Sequence, residues 1–300
     1  MLKLTVSSDG DFRTISEALL AVPYEVEAII YIAEGTYEEK IFCEKKNIIL
    51  IGDSPDKTII RWGDYANKLH SDGRKLGTFR SYTAFFGGEQ IRVYNLSIIN
   101  TSGDNSVAGQ AIAAYVDAKI AKFNNVHFDS YQDTLFCAPL PCEEREIGGF
   151  FGPRFHSKRT ASVQFYDDCR ITGNVDFVFG GADVFFRNCE IISKTLYAGI
   201  VGYVAAPSGK ADGIGFVFEA CSFINRNCAK GSVYLARPWR EEGKVKLINC
   251  YIDNHIHEEG WSAWNPDDSL ETNMRTTFIE HECYGPGADT SRRVSWAKKQ

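Results

Sequence analysis

Asp168-Cys169-Arg170-Ile171 and Asn188-Cys189-Glu190-Ile191 are two copies of one four-residue pattern: a turn-type residue, an apolar one, a polar one, an apolar one. Reading outward, the pattern recurs at Asn95-Leu96-Ser97-Ile98, Asn125-Val126-His127-Phe128, Ala220-Cys221-Ser222-Phe223 and Asn249-Cys250-Tyr251-Ile252, with Ala220 the exception at the first position. Its second positions fall at 96, 126, 169, 189, 221 and 250, in steps of 30, 43, 20, 32 and 29. A strand-bearing unit repeated every 20–30 residues marks a solenoid, in which a coil buries its apolar face only by stacking on its neighbours. The expectation is an all-β chain folded as a right-handed parallel β-helix. Cys169, Cys189, Cys221 and Cys250 then stack inside it, and the Asn and Asp residues turn adjacent corners. The alternative for the same pattern is an ordinary β-sandwich.

The rest of the chain agrees with a solenoid. Asp11–Val22 is the one amphipathic helix, with Ile15, Ala18, Leu19 and Val22 on one face, and Thr14 with Glu17 as a capping-box pair. It would close the solenoid's N-terminal end and hide a sheet edge. Beyond Pro23 the helical period gives way to short β-branched and aromatic runs, among them Ala28–Ile32, Asn47–Ile51, Ile91–Ile99, Ile112–Val116, Val163–Phe165, Val184–Phe186, Gly215–Phe218, Val233–Leu235 and Val245–Ile248. The step of 43 holds "FCAPLPCEEREIGGFFGPRFHSKR", residues 136–159, which has little periodicity and reads as a loop excursion. One domain spanning 1–300 is expected, with that excursion inside it.

Composition narrows the classes. Net charge is −6, and no block of Lys or Arg forms a nucleic-acid footprint. No apolar run reaches transmembrane length, so no membrane partner is expected. The start, MLKLTVSSDGDF, lacks the features of a secretory signal. The expected location is cytoplasmic, or secreted if a leader has been trimmed. Nine cysteines without a CxxC pair indicate free thiols acting as small apolar residues, in keeping with a reducing compartment. No metal site is indicated, and a monomer is expected.

Polar residues in apolar surroundings mark the chemistry. The run Gly173-Asn174-Val175-Asp176-Phe177-Val178-Phe179-Gly180-Gly181 sets one carboxylate among apolar side chains, where an unpartnered charge is costly. Gln110 opens "GQAIAAYV", and Gln132 and Asp133 follow Tyr131 in "SYQDTLF". Stacked coils lie about 4.8 Å apart, so these groups can form a column on one outer face. Arg237 and Trp239 of "YLARPW" join from a later coil. Taken singly, each has a plain structural reading: a turn-capping Asp, a surface Gln, a structural Arg–Asp pair.

Together the motifs resemble the pectin methylesterases, or pectinesterases. The matching segments are "DGDFRTISEALLAVP" (9–23), "GTYEEK" (35–40), "GQAIAAYV" (109–116), "YQDTLF" (131–136), "ITGNVDFVFGGADVFF" (171–186) and "LARPW" (235–239). The resemblance implies a right-handed parallel β-helix. It also implies hydrolysis of galacturonosyl C6 methyl esters in pectin or oligogalacturonides, with release of methanol and no cofactor. By the same resemblance Asp176 is the nucleophile, Asp133 the general acid/base, Gln132 and Gln110 donors to the developing oxyanion, and Arg237 the partner of the nucleophile. Trp239 and Phe177 would line the sugar site. Arg237 would keep Asp176 ionised, and a second carboxyl beside it would hold its proton.

Two departures stand out. Ala236 sits where the family usually has Gly, and Asp133 and Asp176 are 43 residues apart, wider than in many relatives. The excess coincides with the 136–159 excursion, which would then border the cleft. The competing readings are another pectin-active β-helix enzyme, a polygalacturonase or a pectate lyase, and a non-catalytic solenoid binding polysaccharide on a platform of Trp239, Trp261 and Trp264.

Overall fold

The structure, a computed structural model, describes residues 1–195, 202–265, 268 and 275–299. Successive strands pair in parallel with the next coil rather than with their sequence neighbours. Among the described residues, seventeen strands link into one wrapped sheet system, and seven form a second sheet. The second runs in the order Val233–Ala236, Gly202–Pro207, Val175–Gly180, Leu135–Cys137, Ala114–Val116, Ala84–Phe86, Ile41–Cys43. This is the parallel β-helix expected from the repeat.

The repeat register is the coil register. Ser97 pairs with His127, His127 with Arg170, Arg170 with Glu190, Glu190 with Ser222, and Ser222 with Tyr251. The turn-type residue before each is a corner in the left-handed region: Asn95, Asn125, Asp168, Asn188, Ala220 and Asn249 have φ between 51° and 54°. Asn and Asp tolerate this backbone, whereas Ala220 is strained there. Asn125 Nδ2 donates to Asn95 Oδ1 at 2.9 Å, tying one corner to the next. A seventh corner, Glu282 at φ 50°, was not anticipated. Tyr251 bridges to Tyr284 behind it.

Inside, Cys169, Cys189, Cys221 and Cys250 are buried and unpaired, as the register requires. Their thiols donate to backbone carbonyls; that of Cys189, for example, reaches the Tyr166 carbonyl at 3.3 Å. Beside them Phe123, Tyr166, Phe186 and Phe218 stack coil on coil, with ring centroids 4.5–4.9 Å apart.

Both ends are closed. At the first, the helix Ile15–Ala21 buries Ile15, Ala18 and Leu19, and the Thr14/Glu17 capping box is formed. Glu39 of "GTYEEK" accepts from the Ile15 and Ser16 amides, so a carboxylate sits at the helix N-terminus. At the other end Glu280 lies in register with interior Leu247. Its buried charge is met by Arg293 through two hydrogen bonds of 2.7 and 3.0 Å. The helix is shorter than expected, and a second, four-residue helix, Asn105–Ala108, was not foreseen. No helix among the described residues is long and apolar enough to cross a membrane.

The excursion is ordered against the seven-stranded sheet. It leaves after Leu135–Cys137, so Phe136 and Cys137 belong to the strand and not to the loop. The next strand starts at Val163. Tyr115, Phe136 and Phe179 point outward from this sheet and meet Phe79 and Phe150 in an aromatic cluster separate from the solenoid core. Rings within it lie 4.7 to 6.3 Å apart, a range over which aromatic pairs attract. Arg154, bonded to both Asp117 and Glu44, pins the excursion's far side.

Candidate active site

The seven-stranded sheet carries the site on its outer face. Gln110 bridges to Gln132 on the next coil, and the Asp133 amide donates to the Val175 carbonyl at 3.0 Å. Three successive coils thus bring Gln110, Gln132/Asp133 and Asp176 together. The backbone is unusual at both acids: Asp133 has φ 65° and Asp176 φ 48°. At Asp176 the pairing register also shifts between Val175 and Val178. Such bulges re-aim side chains, and this one turns the carboxylate into the cleft. Gly173 is required beside it, because an added Cβ would stand 2.2 Å from the Cβ of Phe177. Ala236 lies in an ordinary strand and is fully buried, so replacing Gly there costs no backbone strain.

A cavity of about 390 Å³ is lined by Gln110, Gln132, Asp133, Asp176, Arg237 and Trp239, together with Thr78, Phe79, Phe179 and Trp264. Arg237 holds Asp176 with a two-pronged ion pair, Nε to Oδ1 at 2.9 Å and Nη2 to Oδ2 at 2.6 Å. Its guanidinium is sandwiched between Tyr203 and Trp264, 3.9 and 4.5 Å from the ring centroids. This fixes both the position and the charge of the fork.

The two carboxyls differ in charge environment. Asp133 is 7 % exposed, and its pKa is pushed well above the usual 3.8, first by burial and then by the charge of Asp176, against a weaker pull from Arg237. Burial also raises Asp176, but hydrogen bonding and charge from Arg237 oppose the rise directly. One proton shared by the pair therefore rests on Asp133. An ionised carboxylate beside a protonated one, with amide side chains on the same wall, can attack a carbonyl and protonate a leaving alcohol.

Of the seven residues singled out from the sequence, the cavity gathers six. The seventh, Phe177, is a correction: it is completely buried in the solenoid core and does not reach the cavity. The register shift points Phe177 and Val178 both inward and turns Phe179 to the cleft. The tryptophan platform fails as well, since Trp261 is buried 4.8 Å from Phe278 and only Trp239 and Trp264 line the cavity. The excursion borders the cleft as its position between the two aspartates suggested, with Arg145, Glu146, Gly149 and Phe150 forming one wall, although the sequence reading named none of these four residues. Among the described residues no group of three or more His, Cys, Asp or Glu is placed to share a metal ion.

Comparison with known proteins agrees with this geometry. The sequence model of the Pectinesterase family matches residues 3–140 and 155–300. The chain is 30% identical over 309 residues to "Pectinesterase 31" of Arabidopsis thaliana, covering 100% of this chain and 87% of that one. It is 34% identical over 306 residues to "Probable pectinesterase/pectinesterase inhibitor 12" of the same plant, covering 98% of this chain and 50% of that protein. The chain spans half or less of the length of several such relatives. Among solved structures, the pectin methylesterase from carrot superposes with a TM-score of 0.82 at 27% identity, covering 100% of this chain and 88% of that one. A pectin methylesterase solved in complex with a hexasaccharide gives 0.78 at 26% identity, covering 100% and 93%. The unmatched residues 141–154 fall inside the excursion and include its part of the cavity wall.

Proposed function

The chain belongs to the pectinesterase family, and from that premise we propose that it hydrolyses C6 methyl esters of galacturonosyl residues in pectin or oligogalacturonides. The observation that carries this reading is the pairing of Asp176, held in charged form by Arg237, with a buried Asp133 that keeps its proton in the same cavity.

In this reading an Asp176 oxygen attacks the ester carbonyl. Gln132 and Gln110 donate to the oxyanion. Asp133 gives its proton to the departing methoxy oxygen, and methanol leaves behind an acyl–Asp176 anhydride. Asp133, now ionised, takes a proton from water, whose oxygen opens the anhydride. The sum is ester plus water to carboxylic acid plus methanol, with both aspartates restored. Trp239 stacks against the sugar. No cofactor enters the sequence of steps, and a monomer is the proposed working unit. We further propose a reducing compartment, where short oligogalacturonides would be the substrate. Recovery of the protein from the culture medium would overturn that location.

The test is a product assay on methylated pectin. Methanol and acid should appear in equal amounts, without new reducing ends or unsaturated sugars. Reducing ends would indicate a polygalacturonase and unsaturated products a lyase.

A further inference from the structure

We propose that Tyr203 is a positioning residue for the reaction: its ring keeps the Arg237 fork in the plane of the Asp176 carboxylate, and Tyr234 and His257 on later coils brace that ring from outside. This rests on the esterase reading above.

The two-pronged pair with Asp176 uses Nε and Nη2 of Arg237. Such a pair fixes a planar guanidinium within its own plane and leaves tilting out of that plane to whatever lies on its faces. Rings cover both faces, and they are not equivalent. Trp264, at 4.5 Å, sits in a loop beyond the bridge made by Trp261, and its ring also carries Arg145 at 5.0 Å. Tyr203, at 3.9 Å, is part of the strand Gly202–Pro207. Its amide donates to the Asn174 carbonyl at 3.0 Å, and it pairs with Val175, the residue before the nucleophile. The backbone that aims Asp176 thus also places the ring beneath its partner.

The ring is backed in turn. Tyr203 is in register with Tyr234, and their rings stack 5.6 Å apart at 14°. Tyr234 meets His257 at 4.6 Å. The Tyr234 hydroxyl donates to the Glu259 carboxylate at 3.3 Å, and the Glu259 amide donates to His257 Nδ1 at 3.2 Å. The His257 amide donates to the Val233 carbonyl at 2.8 Å, which closes the column onto the sheet. Ring faces in this column cover one another, so it offers no face to a sugar. Tyr203 itself lies behind Arg237 and outside the cavity lining. Its effect on the reaction therefore passes through Arg237: without the ring the fork tilts, Asp176 loses its fixed, charged state, and acylation slows while substrate contacts remain.

The test is kcat and KM for methanol release from a methylated oligogalacturonide, with thermal melts of the same proteins. Tyr203→Leu should lower kcat roughly 10-fold, the scale of one desolvated cation–ring contact, with little change in KM. Tyr203→Phe keeps the ring and should stay close to the wild type. Tyr234→Leu should show the same pattern with a smaller loss, and it tests the column should Tyr203→Leu fail to fold. In an Arg237→Gln background the cost of Tyr203→Leu, in kcat and in melting temperature, should largely vanish. Unchanged kcat in both leucine variants, a loss confined to KM, equal damage in Tyr203→Phe, or an undiminished cost beside Arg237→Gln would overturn the proposal. If the wild type releases no methanol, the esterase reading fails, and the melting cycle still decides whether Tyr203 holds Arg237.

Discussion

The corner ladder and the catalytic wall use the same backbone device with opposite results. Both place L residues at positive φ: 50° to 54° at the seven corners, 48° and 65° at Asp176 and Asp133. At the corners the side chains are exposed or half-buried, and Asn, Asp, Ala and Glu all occur. The position asks only that the chain turn. On the wall the side chains are nearly buried and both are carboxyls, the type most costly to desolvate. Left-handed backbone is therefore cheap construction where the side chain is free, and a mark of function where the side chain is also buried and ionisable.

The comparison breaks most visibly at Asp176. In the proposed mechanism Asp176→Asn should cut turnover by about 10⁴-fold or more, because an amide forms no anhydride and no neighbour replaces it. Asn tolerates φ 48°, so the melting temperature should stay close to that of the wild type; a collapse would mean the ion pair with Arg237 holds the fold. Next in size, Gln132→Ala removes a proposed oxyanion donor and should lower kcat by roughly 10²–10³-fold with little change in KM. A loss confined to KM would make Gln132 a binding group instead.

Stability sharpens the contrast further. The pKa of Asp133 is raised in the folded state, so its contribution to stability is complete below the ordinary 3.8 and is lost as pH rises through the folded value. Asp133→Asn should therefore be more stable than the wild type at pH 7, with the gain shrinking as the pH falls toward 4, read by thermal melts across pH. A gain independent of pH would show that charge burial is not its source. Smallest is the corner test. Ala220→Asn gives that corner the side chain of its neighbours Asn188 and Asn249, and should stabilise by roughly 0.5–1 kcal/mol without touching activity. No gain would mean that Ala220 carries no strain at φ 51°.

The sequence disclosed the ladder well, because every coil needs a residue tolerant of the corner and then an apolar one facing inward. The last coil escaped because Glu282 is not a turn-type residue and Gly285 stands where the pattern wants an apolar side chain. The catalytic polar groups were legible because carboxylates and amides are conspicuous in apolar runs. Of their aromatic neighbours Trp239 was legible, and Phe79, Phe150 and Phe179 were not. Strand alternation outward from Asp176 already puts Phe177 inside, but it holds only while the register is regular, and the shift buries Val178 as well and turns Phe179 to the cleft. The excursion has no period at all, so its packing through Phe150 and its wall at Arg145 follow from tertiary contacts alone.

The division of labour between the two aspartates is the central claim, and the first-turnover burst of alcohol tests it most directly. The substrates are the methyl and trifluoroethyl esters of one oligogalacturonide. Methoxide leaves poorly without a proton, and general acid catalysis is typically worth ~10²–10⁴-fold, whereas trifluoroethoxide leaves readily. Asp133→Asn should lose the methyl-ester burst and largely keep the trifluoroethyl one, and Asp176→Asn should show neither. A surviving burst in Asp176→Asn, or equal damage to both bursts in Asp133→Asn, would contradict the assignment.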